Sequence, residues 1–567
     1  MNHIAPFIEG NLTARLGPLQ DRIHAAFTEF EKKNTLNRIF NGEYRVWKED
    51  PNEIVNRMAW IQCPQKMIPR ASEIRTFVDT VRSKGYDTAV LLGMGGSSLA
   101  PGVFREIYGP REGFFDLMVL DSTDPEAVAE LTRRIRFPKT LFIVSTKSGS
   151  TVETLSFMKY FYAAARQALK DGDAGRHFIA ITDPGSRLER IALDFGFLKV
   201  FLNDPDIGGR YSVLSYFGLV PAALLGLDVE AVLGDALSAT NPKDRSAAYL
   251  GVAVGESARM GKDKLTLILP SAIEPFGAWV EQLVAESLGK EGTGVLPVVG
   301  EPVGPPEVYA DDRFFVHFRL NGKDSADASV NALSEAGHPV VAIALKGLHE
   351  LSGEFFRWMM ATAVAGAQLG VNPFDQPNVE SAKVLAGEMV RAFLKTGRLS
   401  ETPPDFTENG IQVFFRPGLR SIEEALTQCF GSIRKGKGIR GYVGIHAYLK
   451  PDRKTDDLLQ SLRTRIRDRN RVAVTVGYGP RFLHSTGQLH KGDAGYGVFL
   501  QLTADSAEDV AIPDEMGQGN GKLTFGILKS AQALGDRQAL LNAGRTVIRL
   551  HLSRNVIDGI QRLIASV

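Results

Sequence analysis

Between residues 85 and 185 the chain alternates short, unbroken apolar runs with longer stretches of helical periodicity. Thr88-Ala89-Val90-Leu91-Leu92 leads into Gly93-Met94-Gly95-Gly96-Ser97-Ser98. Residues 117–120 end at Asp121-Ser122-Thr123, residues 141–144 at Ser145-Thr146-Lys147, and residues 177–181 at Thr182-Asp183-Pro184-Gly185. Apolar runs without polar alternation are predicted to be parallel strands buried on both faces. The helical stretches between them then serve as crossovers of a doubly wound α/β sheet. The pattern returns at 264–269 and 340–345, and again at 441–448, 472–476 and 497–502. Helices are predicted over 22–33, 151–168, 353–370 and 456–468, with a buried one near 213–227; Pro373 and Pro377 stop the 353–370 helix. Residues 1 to about 70 read as helical throughout.

At roughly 100–200 residues per domain, the 567 residues hold about three domains. The divisions fall at an N-terminal helical segment 1–75, α/β domains over 76–229 and 230–395, and a C-terminal α/β domain over 396–567. Gly397, Pro403 and Pro404 mark the last boundary, within 395–405. Lys and Arg number 66 against 65 Asp and Glu, a balance without the basic stripe of a nucleic-acid binder. Met1-Asn2-His3-Ile4 opens no signal peptide, and the apolar stretch at 213–227 is too short for a bilayer span, so no membrane partner is expected. Cys63 and Cys429 lie too far apart in sequence to read as a disulfide framework, which fits a reducing cytoplasm.

The turns carry the chemistry. Ser145, Thr146, Ser148, Ser150 and Thr151 put five hydroxyls around Lys147 and Gly149 within seven residues, between a strand and a helix. A helix start offers unpaired N–H groups and partial positive charge, so this turn reads as a phosphate cradle rather than a capped helix start alone. The glycines at 93–96 permit close backbone approach, yet Ser98 stands where a dinucleotide loop would have its third glycine. Gly208-Gly209-Arg210 presents an always-charged fork suited to an oxyanion or a structural ion pair. Glu286, four residues after Gln282 and among apolar neighbours, suits a general base if buried; a solvated helix glutamate is the plain alternative. Gln376 opens a further helix, on which Lys383 and Glu380 have the spacing of a surface pair.

Taken in order, the Gly-Gly-Ser turn, Lys147-Ser148-Gly149-Ser150-Thr151-Val152-Glu153-Thr154, Gly208-Gly209-Arg210-Tyr211-Ser212-Val213, Gln282-Leu283-Val284-Ala285-Glu286-Ser287-Leu288-Gly289-Lys290 and Asp375-Gln376-Pro377-Asn378-Val379-Glu380-Ser381-Ala382-Lys383 resemble the phosphoglucose isomerase family. The likeness runs from about residue 80 to 390. It is nearest to the isomerase half of bacterial transaldolase–isomerase fusions and extends to His484-Ser485-Thr486-Gly487-Gln488-Leu489-His490. No transaldolase barrel fits before residue 80, so isomerase activity alone is expected.

The resemblance implies two doubly wound sugar isomerase (SIS) domains plus the C-terminal α/β domain. It also implies a small sugar phosphate as partner and interconversion of glucose 6-phosphate and fructose 6-phosphate through a cis-enediol. Thr146, Lys147, Ser148, Ser150 and Thr151 would hold the phosphate, and Gly96 and Ser97 would line the sugar ring. Glu286 would be the base and Arg210 the enediolate stabiliser. Gln376 would position substrate, and Lys383 would assist ring opening. No metal and no cofactor are expected, because a carbonyl beside the reacting carbon acidifies its proton. Two other readings are a dual-specificity isomerase acting also on mannose 6-phosphate and a non-catalytic sugar-phosphate sensor.

The sequence departs from the family at one point. The ring-opening histidine that should follow the base in a Gly-Gln-His turn is missing after Gly300-Glu301-Pro302. His317 falls in an apparent strand, and His338 is unmatched. Gly487-Gln488-Leu489-His490 resembles the missing turn, so the third region is expected to fold back and supply His490 or His484. A homodimer fits the family. A monomer fits if the third region replaces what a partner would bring.

Overall fold

The computed structural model describes residues 7–170, 173–322, 324–399, 401–433 and 441–567. Met1-Asn2-His3-Ile4, and Ser400 within the 395–405 boundary stretch, lie outside the described residues.

Strands β1 (Phe7–Glu9) and β2 (Leu12–Arg15) form a hairpin at the start of the chain. This corrects the reading of residues 1–70 as helical throughout. Strands of three and four residues are too short to show a period. They exist because β2 pairs antiparallel with a strand more than three hundred residues away, Ala14 opposite Val341. Helix Gln20–Lys32 follows, with Ile23, Phe27 and Phe30 on its buried face.

The first sheet holds β3 (Thr88–Gly93), β4 (Asp116–Leu120), β5 (Thr140–Ser145), β6 (Phe178–Thr182) and β7 (Lys199–Leu202), all parallel, in the order β4-β3-β5-β6-β7. The second holds β8 (Lys264–Ile268), β9 (Leu296–Val298), β10 (Arg313–Leu320) and β11 (Val340–Leu345), parallel in the order β11-β10-β8-β9, with the β1-β2 hairpin on its β11 edge. The third contains β12 (Phe406–Glu408), β13 (Ile411–Phe414), β14 (Tyr442–Tyr448), β15 (Ala473–Tyr478) and β16 (Gly497–Thr503). A small ribbon, β17 (Ala511–Pro513) with β18 (Asn520–Thr524), precedes its last strand, β19 (Thr546–His551). The order is β12-β13-β19-β16-β14-β15, parallel from β19 onward, with an antiparallel hairpin at the β13 edge. The architecture is therefore α/β with three largely parallel sheets; the antiparallel edges are the departure from a purely parallel expectation.

One face of each of the first two sheets joins a shared core with the N-terminal helices, the other face of the first sheet packs with Phe157, Phe161, Phe525 and Leu528, and the third sheet has its own core around Ile445, Leu462 and Leu500. Helix Tyr216–Leu224 is buried along its whole length, as its unbroken apolar pattern requires. Helix Leu351–Leu369 ends at Gly370, whose φ of +71° is the left-handed conformation that terminates helices cheaply only at glycine. Cys63 and Cys429 are free and buried, and burial pushes the Cys63 thiol up to about 12. Among the described residues, no helix is long and apolar enough to cross a membrane.

His446 and His490 lie inside the third domain. Burial holds His446 below its ordinary pKa of 6.5 and His490 well below it, the latter aided by the charges of His446, Lys491 and Arg545. Unfolding frees both rings to take up protons near pH 6.5, so the unfolded chain binds more protons as pH falls. The stability these two rings contribute is thus full above about pH 6.5 and declines below it. Buried Glu281 and Glu354, both raised to about 7, act in the opposite sense as pH falls, so the test is a difference: between about pH 7 and 5.5 the melting temperature of His490→Asn should gain on that of the parent. An equal slope in the variant would remove His490 as a contributor.

Candidate active site

In the first sheet, β3 connects to β4 on one side while β5 lies on the other. The carboxyl ends of β3 and β5 therefore flank the crevice where open α/β sheets bind ligands. Both chemically rich turns lie there. After β3, Gly95 has a φ of +56°, and a Cβ on Gly96 would lie 2.2 Å from the Gly209 carbonyl oxygen. The glycines thus seat one backbone on another, which brings Arg210 to the turn. The Ser97 carbonyl accepts a hydrogen bond from Ser145 Oγ at 3.0 Å, locking the two turns together.

In the second turn, the Thr146 and Thr151 hydroxyls lie 2.9 Å apart, and Ser150 donates through its N–H (3.3 Å) and its hydroxyl (3.0 Å) to Ser148 Oγ. Thr151 precedes helix Val152–Ala168 but does not cap it with its side chain, so first-turn N–H groups remain for an anion. Ser148 and Ser150 are exposed and Thr146 is buried. Lys147 turns away: its amine pairs with Asp183 and donates to the Pro205 carbonyl at 2.7 Å. It ties the loops after β6 and β7 to the turn.

Glu286 lies near the end of helix Phe276–Leu288, nearly all of which is buried. Arg210 reaches across to it, with Nη1 3.8 Å from Glu286 Oε1. Every arm of the guanidinium is held: Nε donates to Ser287 Oγ at 2.7 Å, Nη1 to Gln376 Oε1 at 2.6 Å, and Nη2 to the carbonyls of Pro373 and Asp375. Lys290 clamps the same 372–375 turn through the carbonyls of Asn372 and Asp375 and the Asp375 carboxylate. Burial, with Arg210 nearby, pushes the Lys290 amine down to about 8. Gln376 is therefore positioned by two buried cations.

The third domain does close over this cleft. Gln282 Nε2 donates to Glu286 Oε2 at 3.1 Å and to the His484 carbonyl at 2.8 Å. The absence of a Cβ at Gly95 admits this His484 segment. His484 Nε2 lies 2.9 Å from Glu153 Oε1, two residues into the helix that follows the hydroxyl turn. Burial works to raise the Glu153 carboxyl, but the His484 charge and hydrogen bond, together with the Lys383 charge, hold it below the usual range. Lys383 is half exposed and 3.7 Å from Glu380. His490, by contrast, is enclosed by Tyr442, Phe482 and Phe499, with its Nδ1 3.1 Å from His446 Nε2. His317 sits in β10 beside Asp324 and Asp327. His338 packs against Tyr309 and Phe315.

Three neighbours received no role from the sequence. Gln282 was visible only as the i, i+4 partner of Glu286. Glu153 and Lys290 sat inside recognised motifs, but nothing local distinguished them from helix and loop charges. The Gln488 side chain adds a fourth link. It donates to the Gly289 carbonyl (2.9 Å) and Asn378 Oδ1 (2.7 Å) and accepts from the Asn378 N–H (2.8 Å).

The phosphoglucose isomerase family model matches residues 64–291. A glucose-6-phosphate isomerase of Rubrobacter xylanophilus is 33% identical over 363 residues, spanning 54% of this chain and 83% of that protein. Among solved structures, a hypothetical protein of Thermus thermophilus superposes with a TM-score of 0.59 at 23% identity, covering 67% of this chain and 99% of the other. A glucose-6-phosphate isomerase of Chlamydia trachomatis gives 0.55 at 19% identity, covering 68% and 89%. These superpositions establish a shared fold.

Gly96→Ala tests the seating of the two turns. The new methyl group meets backbone rather than a yielding side chain, so a loss of about 2 kcal/mol or more in unfolding free energy is expected. Displacement of Arg210 should lower turnover along with it. Unchanged stability, read by urea denaturation, would mean that the 96–209 contact is looser than described.

Proposed function

The chain belongs to the phosphoglucose isomerase family, and from that premise we propose that it interconverts glucose 6-phosphate and fructose 6-phosphate through a cis-enediol. The buried Glu286–Arg210 pair carries this reading. A carboxylate and a guanidinium 3.8 Å apart provide a base and, beside it, fixed positive charge for the anion the base creates. The phosphate group is held by the N–H groups that open helix Val152–Ala168 and by the hydroxyls of Thr146, Ser148, Ser150 and Thr151. Lys147 acts on that turn through Asp183. Gly96 and Ser97 line the sugar ring, and Gln376, fixed by Arg210, orients the substrate.

Ring opening moves a proton from the anomeric hydroxyl to the ring oxygen and leaves a carbonyl at C1. We assign this step to His484, whose Nε2 faces Glu153, with Lys383 near the same carboxylate; His490 remains outside the reacting set. Glu286 then takes the C2 proton, and negative charge gathers on O1, where Arg210 stabilises it. The O2 proton passes to O1, and Glu286 returns its proton to C1, giving the ketose. The third domain supplies the histidine within the same chain, so one chain holds a whole site and works as a monomer. Two buried free thiols suit a reducing cytoplasm.

Fructose 6-phosphate turnover should persist with a chelator present and fall at least about 1,000-fold in Glu286→Gln. His484→Ala should lose about 100-fold, while His490→Ala keeps turnover within a few-fold of the parent once its lower stability is allowed for. Rate should scale linearly with protein concentration down to the nanomolar range. Full activity in Glu286→Gln would end the base assignment, and a drop in specific activity on dilution would end the single-chain site.

A further inference from the structure

Helix Phe525–Asn542 aligns Lys529, Gln532 and Asp536 at spacings of three and four residues, so one face carries all three polar groups. All are buried, and none is spare. Lys529 pairs with Asp124 at 2.8 Å at the start of helix Pro125–Arg134. Asp536 pairs with Lys491 at 2.6 Å and lies 3.4 Å from His446. Gln532 sits between them and reaches into the first domain. Its Oε1 accepts from Thr123 Oγ1 at 2.8 Å, and its Nε2 donates to Glu153 Oε1 at 2.7 Å. Glu153 Oε1 is the same oxygen that faces His484 Nε2 at 2.9 Å.

We propose that Gln532 is a positioning residue for ring opening, fixing the Glu153–His484 pair from behind. This role rests on His484 being the ring-opening group, as assigned above. The Glu153 carboxylate sets the amide orientation, because flipping the amide would place its carbonyl oxygen against an acceptor-only group; the Thr123 hydroxyl, which can donate or accept, then donates to Oε1. In the observed orientation the amide N–H favours the ionised form of Glu153. An ionised carboxylate only accepts, so His484 Nε2 carries a proton towards it in either charge state of the ring, and Nδ1 is the nitrogen that gains and loses the other proton. Gln532 thus selects the His484 tautomer although the two are not bonded to each other. Besides Gln532, the groups around Glu153 are His484, Lys383 and Tyr448.

Gln532→Met keeps the volume and the helix but removes the donor. It should lower kcat roughly 10- to 100-fold with KM nearly unchanged. The acidic limb of its kcat profile should move up by about one pH unit, because Glu153 has lost a hydrogen bond to its charged form. Both effects should vanish when Gln532→Met is added to His484→Ala, since the donor then has nothing to position. An equal loss from Gln532→Met in the two backgrounds, or a drop in melting temperature with no movement of the pH limb, would reduce Gln532 to a packing residue and overturn the proposal. Parental turnover in His484→Ala alone would instead remove the assignment of His484 on which the proposal stands. Parental kinetics in Gln532→Met, with His484→Ala impaired, would overturn the proposal and leave that assignment intact.

Discussion

Glu153 is a buried carboxylate whose side-chain hydrogen-bond partners come from the far end of the chain. It lies within the first domain, yet its Oε1 is met by His484 and Gln532, 331 and 379 residues further on. A charge withdrawn from water needs such partners, and removing one leaves the other stranded. The third domain is therefore bound to the first by the electrostatics of one oxygen as well as by packing. Lys529 with Asp124, on the same helix face, repeats the constraint a few residues away. Once those contacts exist, the His484 carbonyl can accept from Gln282, and the side chain that touches Glu286 is held by the domain that closes over it.

Backbone contacts that only glycine permits bring the domains this close. A Cβ on Gly289 would lie 2.4 Å from Leu489 Cβ, and one on Gly492 would lie 2.5 Å from the Gly289 carbonyl oxygen. The short helix Gly487–Gly492 is thereby wedged between the end of the Glu286 helix and the 372–378 turn, with Gln488 bonded to both. This placement explains the different fates of two nearby histidines. His484 precedes the wedge and faces the cleft. His490 lies within it, on the side turned towards β14 and β16, where Phe499 and His446 enclose it.

The parallel strands were legible because burial on both faces leaves an unbroken apolar run, and β3, β5, β11 and β14 begin and end within a residue or so of that reading. The β1-β2 hairpin was not, since its reason for existing is the exposed edge of β11, which no local pattern reveals. Site residues divide in the same way. Arg210 and Glu286, picked out by residue type at a turn and near a helix end, are brought together at 3.8 Å, and the hydroxyl turn lies at the carboxyl end of β5. Lys147 was read from its type as a phosphate ligand, whereas its amine is taken by Asp183, a partner from the loop after β6. The return of the third region was legible from a missing histidine and a look-alike turn. That His484 faces Glu153 while His490 is enclosed beside Phe499 was not, because it depends on which side of the following six-residue helix is turned towards the first domain.

The Arg210 environment shows how a carboxylate and a permanent cation are held side by side without closing on one another. A free guanidinium 3.8 Å from Glu286 would be drawn into a bidentate pair with its carboxylate. Here Ser287, Gln376 and the carbonyls of Pro373 and Asp375 accept from Nε, Nη1 and both N–H groups of Nη2, which fixes the fork and leaves one Nη1 N–H on the side of the carboxylate. Those carbonyls belong to a turn that Lys290 holds from the other side, and that turn is in turn held by Gln488 of the third domain. The separation between Glu286 and Arg210 is thus maintained by a chain of contacts passing through all three α/β units. Geometry of this kind needs no rearrangement when charge develops nearby, because the hydrogen bonds that Arg210 donates to these acceptors are made beforehand.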